Sequence, residues 1–342
     1  MVKPTVHDIA KEAGVSLATV DRVLNARPGV REATVARVQD AVDRLGYVRD
    51  SYAANLARKR QYRYVFVLPV GPNQFVDALR EALIEATGAQ LAERSSVKII
   101  TVPTHDPHAV ARAINAVGST RPDGLAIMVP ETPQVRDAVG RLKADGIAVV
   151  TLVADLPNSA RDHFVGINNR SAGRTAGVLM GRFVGRATGS VLVVTHSLQA
   201  RDSIERRLGF DEVVSQEFPN LVVLPSMESY DDPVRMASIV TSAVNANPDL
   251  LGIYSMGTGN KFLLEGLRAA RRPEGLVVIA HELTPATRQA LEEGEVDAVI
   301  AQNVGHLVRS ALRVLRAKSD DVAILASQER IRIDVIIREN LP

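Results

Sequence analysis

The sequence predicts an α/β protein in three parts: a three-helix head over residues 1–48, a short linking helix at 49–61, and two doubly wound parallel lobes within 62–342. Three observations lead there. Apolar residues in the first fifty positions recur at helical spacing and are punctuated by residues that start and stop helices. From Arg63 the pattern changes to short apolar runs, each followed by a helical stretch, as in parallel sheets covered on both faces. These runs come in two consecutive series, which argues for two similar lobes.

Composition narrows the function classes. Hydrophobic residues make up 46% and charged residues 23% of the 342, ordinary for a soluble globular chain. No run of eighteen apolar residues occurs, so no membrane span is expected. The start, MVKPTVHDIAKEAG, lacks an apolar block, and no secretory signal is expected. With no cysteine, disulfides and thiolate metal sites are excluded, which suits a reducing cytoplasm. The net charge of +2 hides an asymmetry: residues 1–61 hold 11 Lys/Arg against 7 Asp/Glu, and the remainder 30 against 32. A basic surplus on one short segment is the footprint of a nucleic-acid contact.

In the head, Thr5 is a good N-cap and Asp8 completes a capping box. Ile9, Ala10 and Ala13 share one helix face, and Gly14 stands where a left-handed C-terminal turn is wanted. Ser16 caps a second helix, Leu17 to about Asn25, with Val20, Val23 and Leu24 inward and Leu17, Ala18, Asp21, Arg22 and Asn25 outward. A third helix from about Arg31 to Leu45 has Val35, Val38, Val42 and Leu45 as its inner stripe, with Gly46 at its end. Two short helices with a glycine turn, braced by a third, make a helix-turn-helix head. In the linker, Ser51 caps a helix through Arg58 that is too short to be stable alone in water.

The runs AKEAGVS (10–16), ATVDRVLN (18–25) and LGYVRD (45–50) resemble the head of the lactose/galactose-repressor family. That resemblance implies that the second helix enters the major groove of DNA. Carried over, Leu17, Ala18 and Arg22 are the base-edge candidates, and Thr5, Ser16, Thr19 and Asn25 would hold phosphates. An arginine can make two parallel hydrogen bonds to guanine. The linker would be a hinge helix that folds on DNA, pairs with that of a second subunit and pushes Leu56 into the minor groove, beside Asn55. Such a wedge bends DNA onto more protein surface. One position departs from the family: a small hydroxyl residue is usual where this chain has Asp21. Its carboxylate pairs with Arg22, pairs with a neighbouring base amine, or weakens non-specific binding.

In the core the strand runs are YVFVLP, VKIITV, GLAIMV, IAVVTLV and HFVGI, then SVLVVTH, LVVLP, LLGIYSM, GLVVIAH and DAVIAQN. Ligands of such sheets bind at the carboxyl ends of the strands, and the strand ends supply candidates. Asn73 and Gln74 can hydrogen-bond hydroxyls, and Phe75 can stack on a sugar ring. His105, Asp106, Glu131 and Asp155 end the next three strands. The loop after SVLVVTH holds His196, Arg201, Asp202, Glu205 and Arg206. Later strand ends contribute Asn260, Glu282 and Gln302.

This half resembles the periplasmic sugar-binding-protein fold that the repressor family joins to its heads. The resemblance implies that Arg206, four residues before Phe210, binds ligand hydroxyls, with Glu282 and Gln302 as further contacts. Met256–Asn260 departs from the Asn-Asp pair of many relatives, leaving room for a polyol such as an inositol, or a nucleoside. Three crossings between lobes are expected, near Gly166–Asn168, Glu292–Asp297 and Ser327–Arg330. Lobe 1 would then span about 62–166 and 295–328, and lobe 2 about 167–293 and 329–342. No tetramerising helix follows, so a homodimer is expected.

No phosphate-cradling loop, second zinc-motif histidine or nucleophile elbow is found, so no catalysis, cofactor or metal is expected. The expected function is a cytoplasmic, nucleoid-associated regulator, a repressor by default, controlled by a sugar or polyol effector and bound to operator DNA without membrane contact. The rival reading is a solute-binding protein for sugar uptake, without DNA binding.

Overall fold

The computed structural model describes residues 4–24, 27–47, 60–71, 73–92, 95–257 and 259–342, without the side chains of 89–92. The chain divides into two compact units, Met1–Arg60 and Gln61–Pro342.

The first unit is held by local chemistry. Helix α1 (Val6–Ala13) starts at the reciprocal Thr5–Asp8 capping box and stops at left-handed Gly14, φ 62°. Helix α2 (Leu17–Leu24) begins where Ser16 Oγ accepts from the Thr19 amide at 3.2 Å. Helix α3 (Glu32–Leu45) ends at Gly46, also left-handed. Ile9, Ala13, Val20, Val38 and Ala41 form the buried core, with Val15, Val23, Leu24, Val42, Leu45 and Tyr47 packed around it. Val35 departs from the expected stripe and is 39% exposed. The buried face of α3 is turned toward Val38 and Ala41, against α1, which leaves Val35 on the far flank.

In the second unit, the first sheet is built from β1 (Tyr62–Pro69), α4 (Gln74–Ala92), β2 (Ser95–Val102), α5 (Pro107–Ser119), β3 (Gly124–Ile127), α6 (Pro133–Ala144), β4 (Ala148–Leu152) and β5 (His163–Val165). Its strands run parallel in the order β2-β1-β3-β4-β5. Alternation along β1 divides it between two apolar layers. Tyr62, Tyr64, Phe66 and Leu68 join one cluster, Val65 and Val67 the other.

The second sheet comprises α7 (Asn169–Val184), β6 (Gly189–Thr195), α8 (Arg201–Glu217), β7 (Leu221–Val223), β8 (Met227–Glu228), α9 (Pro233–Ala246), β9 (Leu250–Ser255), α10 (Asn260–Ala269), β10 (Val277–His281), α11 (Pro285–Glu292) and β11 (Ala298–Ala301). Helix α12 (Val304–Ser319) then packs on β3, β4 and β5 of the first sheet, and α13 (Ala326–Glu329) leads to β12 (Asp334–Ile336). The order is β12-β11-β10-β9-β6-β7, with the short β8 beside β6 and only β12 antiparallel to its neighbour.

The expected crossing at Glu292–Asp297 is corrected. Strand β11 pairs with β10 and so belongs to the second sheet, and the chain crosses after Ala301. The physical reason is Asp297, whose carboxylate accepts from the Val278 amide at 2.7 Å while its own amide donates to Val278 O. Those two bonds tie the start of β11 to β10. Among the described residues, no helix is long and apolar enough to cross a membrane.

Candidate ligand site and DNA-facing helix

On the head, Val20 turns α2 inward, and Leu17, Ala18, Asp21 and Arg22 lie exposed on its other side. Thr5 is engaged in its capping box, and the Ser16 and Thr19 hydroxyls are 2.9 Å apart at the start of α2. Asp21 pairs with Arg27, Oδ2 to Nη1 at 3.2 Å. Asn25, Asn55 and Leu56 lie outside the described residues.

In the core unit, polar side chains converge at the carboxyl edge of the second sheet. Close approach of two helices places the first of them. A Cβ on Gly173 would meet Arg206 O at 1.9 Å, and one on Gly209 would meet Arg170 O at 2.0 Å. Only glycine lets α7 and α8 come this near. The approach sets Arg206 beside Asn169, the first residue of α7. Arg206 Nε donates to Asn169 Oδ1 at 2.9 Å and Nη1 to Met256 O at 2.7 Å, with the side chain 2% exposed. The Asn169 amide in turn donates to Val153 O, past the end of β4, so this residue ties the second lobe to the first.

Glu282 follows β10 in a left-handed conformation, φ 67°, with its amide donating to Ile300 O. Its Oε1 accepts from Gln302 Nε2 at 2.9 Å and lies 3.6 Å from Arg206 Nη2. Asp202 Oδ2 is 3.8 Å from Arg206 Nη1. Burial pushes the Glu282 carboxyl up to about 7, against the pull of Arg206 and Gln302. Burial, reinforced by Arg206, holds the His281 imidazole well below its ordinary range. Its Nε2 meets Tyr254 Oη at 2.8 Å.

Three buried atoms in this cluster have no hydrogen-bond partner: Arg206 Nη2, Gln302 Oε1 and His281 Nδ1. Buried polar groups are nearly always satisfied, so orphans ask for an explanation. A donor and an acceptor left open beside the Glu282 carboxyl complement a hydroxyl, which both accepts and donates.

The other candidates fall differently. Asn73 caps α4, its Oδ1 accepting from the Phe75 and Val76 amides, and Phe75 is 3% exposed within the apolar core. The phase of α4 places Asn73 at the helix start and turns Phe75 inward. Asn260 is also engaged within the protein. Its Oδ1 accepts from Ser255 and its amide donates to His281 O and Gly257 O, so it braces the ends of β9 and β10. Glu131 and Arg201 stand on opposite lobes, 3.7 Å apart, each also held by a neighbour, Arg136 and Glu205 respectively. Asp106 caps α5, and Asp155 holds Arg161 and Thr151. Sequence reasoning missed Asn169, Tyr254 and His281. The recurring glycines of α7 and α8 were the available signal for the first. Among the described residues, no group of His, Asp and Glu could hold a metal ion.

Residues 64–321 match the periplasmic binding protein domain, and residues 5–50 match the bacterial regulatory proteins of the lacI family. The chain belongs to the periplasmic binding protein domain family, and it carries a lacI-family DNA-binding domain at residues 5–50. The chain is similar to catabolite control protein A of Streptococcus mutans, 29% identical over 163 residues, 46% of this chain and 47% of that protein. It is also similar to catabolite control protein A of Staphylococcus epidermidis, 25% identical over 238 residues and 68% of each chain. The chain thus matches about half the length of the first relative and two thirds of the second. A glucose-galactose binding protein from Geobacillus stearothermophilus shares the fold, with a TM-score of 0.74 at 20% identity over 83% of this chain and 99% of that one.

Proposed function

We propose that this lacI-family chain is a sequence-specific DNA-binding transcriptional regulator, a repressor whose operator affinity is set by a small sugar or polyol held between the lobes of its core. The observation that carries the ligand class is the unpartnered pair Arg206 Nη2 and Gln302 Oε1 on either side of Glu282. Hydroxyls satisfy both, whereas a phosphate or carboxylate has no proton for Gln302 and would meet Glu282 and Asp202. The sugar-binding relative of this fold supports the same class. The site would be Arg206, Glu282 and Gln302 with Asn169 as their brace. Glu131 and Arg201 would close the cleft over the ligand from its two sides.

In this reading a homodimer presents two α2 helices to successive major grooves of a pseudo-palindromic operator, with half-sites about one helical turn, roughly 34 Å, apart. Arg22, Leu17 and Ala18 face base edges, and Leu56 of the hinge enters the minor groove with Asn55 beside the backbone. The ligand acts through its different affinities for the DNA-competent and DNA-released arrangements. The reading assigns the chain no catalytic step, places it in the cytoplasm on the nucleoid, and needs no cofactor.

Two measurements on the full chain test it. Fluorescence anisotropy against duplexes selected from a random library should show a salt-sensitive preference. Thermal shift against sugars, polyols and nucleosides should find a ligand that stabilises the core by mass action and alters that preference. Absence of any sequence preference, with and without ligands, overturns the regulator reading. A stabilising ligand without DNA preference would fit a solute-binding protein instead.

A further inference from the structure

The outward face of α2 carries one charged group that the proposed function does not use. Leu17, Ala18, Asp21 and Arg22 stand at i, i+1, i+4 and i+5, so they share one side of the helix, opposite the fully buried Val20. Asp21 is therefore presented with the base-reading candidates, and its side chain is 52% exposed. A carboxylate there would be repelled by a duplex bearing one negative charge per roughly 1.7 Å of axis.

The structure supplies a counter-charge. Arg27 Nη1 lies 3.2 Å from Asp21 Oδ2, and the Arg27 amide donates to Arg22 O at 2.9 Å, which holds Arg27 beside α2. Asp21 and Arg27 together add no net charge to the face, which removes most of the repulsion.

We propose that Asp21 is a specificity-determining residue that accepts a hydrogen bond from a base amine in the major groove, cytosine N4, while Arg27 neutralises it. The inference rests on the regulator reading above. An ionised carboxylate only accepts, at about four positions on its two oxygens. Phosphates also only accept and offer it nothing. The donors exposed in the major groove are adenine N6 and cytosine N4. Adenine N6 lies between two acceptors, its own N7 and thymine O4, which repel the second carboxylate oxygen. Cytosine N4 has such a neighbour, guanine O6, on one side only. The cytosine amine is the better partner.

The test selects duplexes from a random library with the full-length wild-type chain. The selected duplex is then titrated with every base pair replaced in turn, using wild type, Asp21→Ser, Asp21→Asn and Arg27→Ala at several KCl concentrations. All three substitutions are at exposed positions, and thermal unfolding checks that the head stays folded. Wild type should discriminate at one half-site position in favour of cytosine by about fivefold to tenfold. Asp21→Ser should erase discrimination there and nowhere else. Asp21→Asn should shift that position toward adenine, the base whose N6 and N7 an amide can bond together. Arg27→Ala should weaken binding to all duplexes while the base preference survives. The proposal is overturned if Asp21→Ser tightens binding equally on every duplex and leaves the pattern unchanged, for then Asp21 is only a repulsive charge. It is equally overturned if the preferred base is adenine in wild type, or if Arg27→Ala alone erases the preference. A wild-type chain that discriminates at other positions leaves the regulator reading standing when this inference fails; one with no preference anywhere sinks both.

Discussion

The outward face of α2 and the carboxyl edge of the second sheet handle charge in opposite ways. On α2, Asp21 and Arg22 stand in solvent above a core of five small or medium apolar residues. At the sheet edge, Arg206 and Glu282 are each 2% exposed and lie within 3.6 Å of one another. An exposed charge is cheap to hold, and its energy appears only when a partner arrives. A buried charge must be balanced by its own neighbours in the resting protein. Function and stability should therefore be separable on the head and inseparable at the sheet edge.

The largest effect expected from this contrast is at Arg206. Arg206→Ala strips the cation from Glu282 and Asp202 and removes the donors held by Asn169 and Met256 O. Breaking a buried pair from one side costs about 3–5 kcal/mol, to be read by urea unfolding of the full chain. Arg206→Lys should recover only part, since an ammonium cannot meet Asn169, Met256 and Glu282 in one plane. A loss below about 1 kcal/mol for the alanine variant would mean that the edge behaves like the head, and the comparison would fail.

The second effect is a pH dependence. The Glu282 carboxyl sits at about 7 in the fold, raised by burial from an ordinary value of 4.5. Between those two values the folded protein keeps a proton that the unfolded chain has released. The stability that this group contributes is thus fully present below about pH 4.5, falls as pH rises, and levels off above about 7. The drop is about 3 kcal/mol. Other carboxyls, such as those of Asp155 and Glu329, are held low by Arg161 and Arg313 and act in the opposite sense. The measurement is therefore the difference between wild type and Glu282→Gln. The variant should gain on wild type by about 3 kcal/mol from pH 4.5 to 7.5, and a flat difference would remove Glu282 from the buried-charge account.

The head should show the reverse pattern. Arg22→Ala removes an exposed side chain, so unfolding should change by no more than about 0.5 kcal/mol. Affinity for the selected duplex should fall about tenfold to a hundredfold, concentrated at one guanine. A variant that loses stability and affinity together would make the two regions alike.

The same contrast explains what could be read in the residues alone. Thr5, Asp8, Gly14 and Ser16 act on backbone within a few positions of themselves, so the helix starts and stops of the head follow from local order. The apolar runs of β1 to β7 and β9 to β11 identify strands because burial in a covered sheet needs little else, whereas the two-residue β8, Met227–Glu228, has no such run and was missed. Pairing between distant strands is another matter: the assignment of β11 to the second sheet depends on Asp297 meeting Val278, which no pattern in either segment announces. Polar residues after strands are ambiguous for a related reason. Asn73 and Glu282 look alike in sequence, yet one caps a helix and the other is buried beside a cation. The difference lies in the phase of α4 and in the left-handed turn at Glu282. Asn169 was missed because its role arises only when Gly173 and Gly209 bring two helices together, and those glycines were its one sequence signal.

The smallest effect sits between the two extremes, at a pair neither exposed nor buried. Glu131 and Arg201 face each other across the lobes at 3.7 Å, with side chains 18% and 38% exposed. A partly solvated pair of this kind is worth about 0–1 kcal/mol, so Glu131→Gln should leave unfolding nearly unchanged. Its contribution should appear instead in ligand affinity, as a weakening of about twofold to fivefold, because the pair joins the two lobes that flank the proposed site. Salt separates this from direct contact with the ligand. At 1 M ionic strength screening acts within about 3 Å, and wild type and Glu131→Gln should then bind the same ligand equally. A deficit that persists at high salt, or that approaches the deficit of Arg206→Ala, would mean that the first lobe holds the ligand itself, and Glu131 would join the buried-charge side of the comparison.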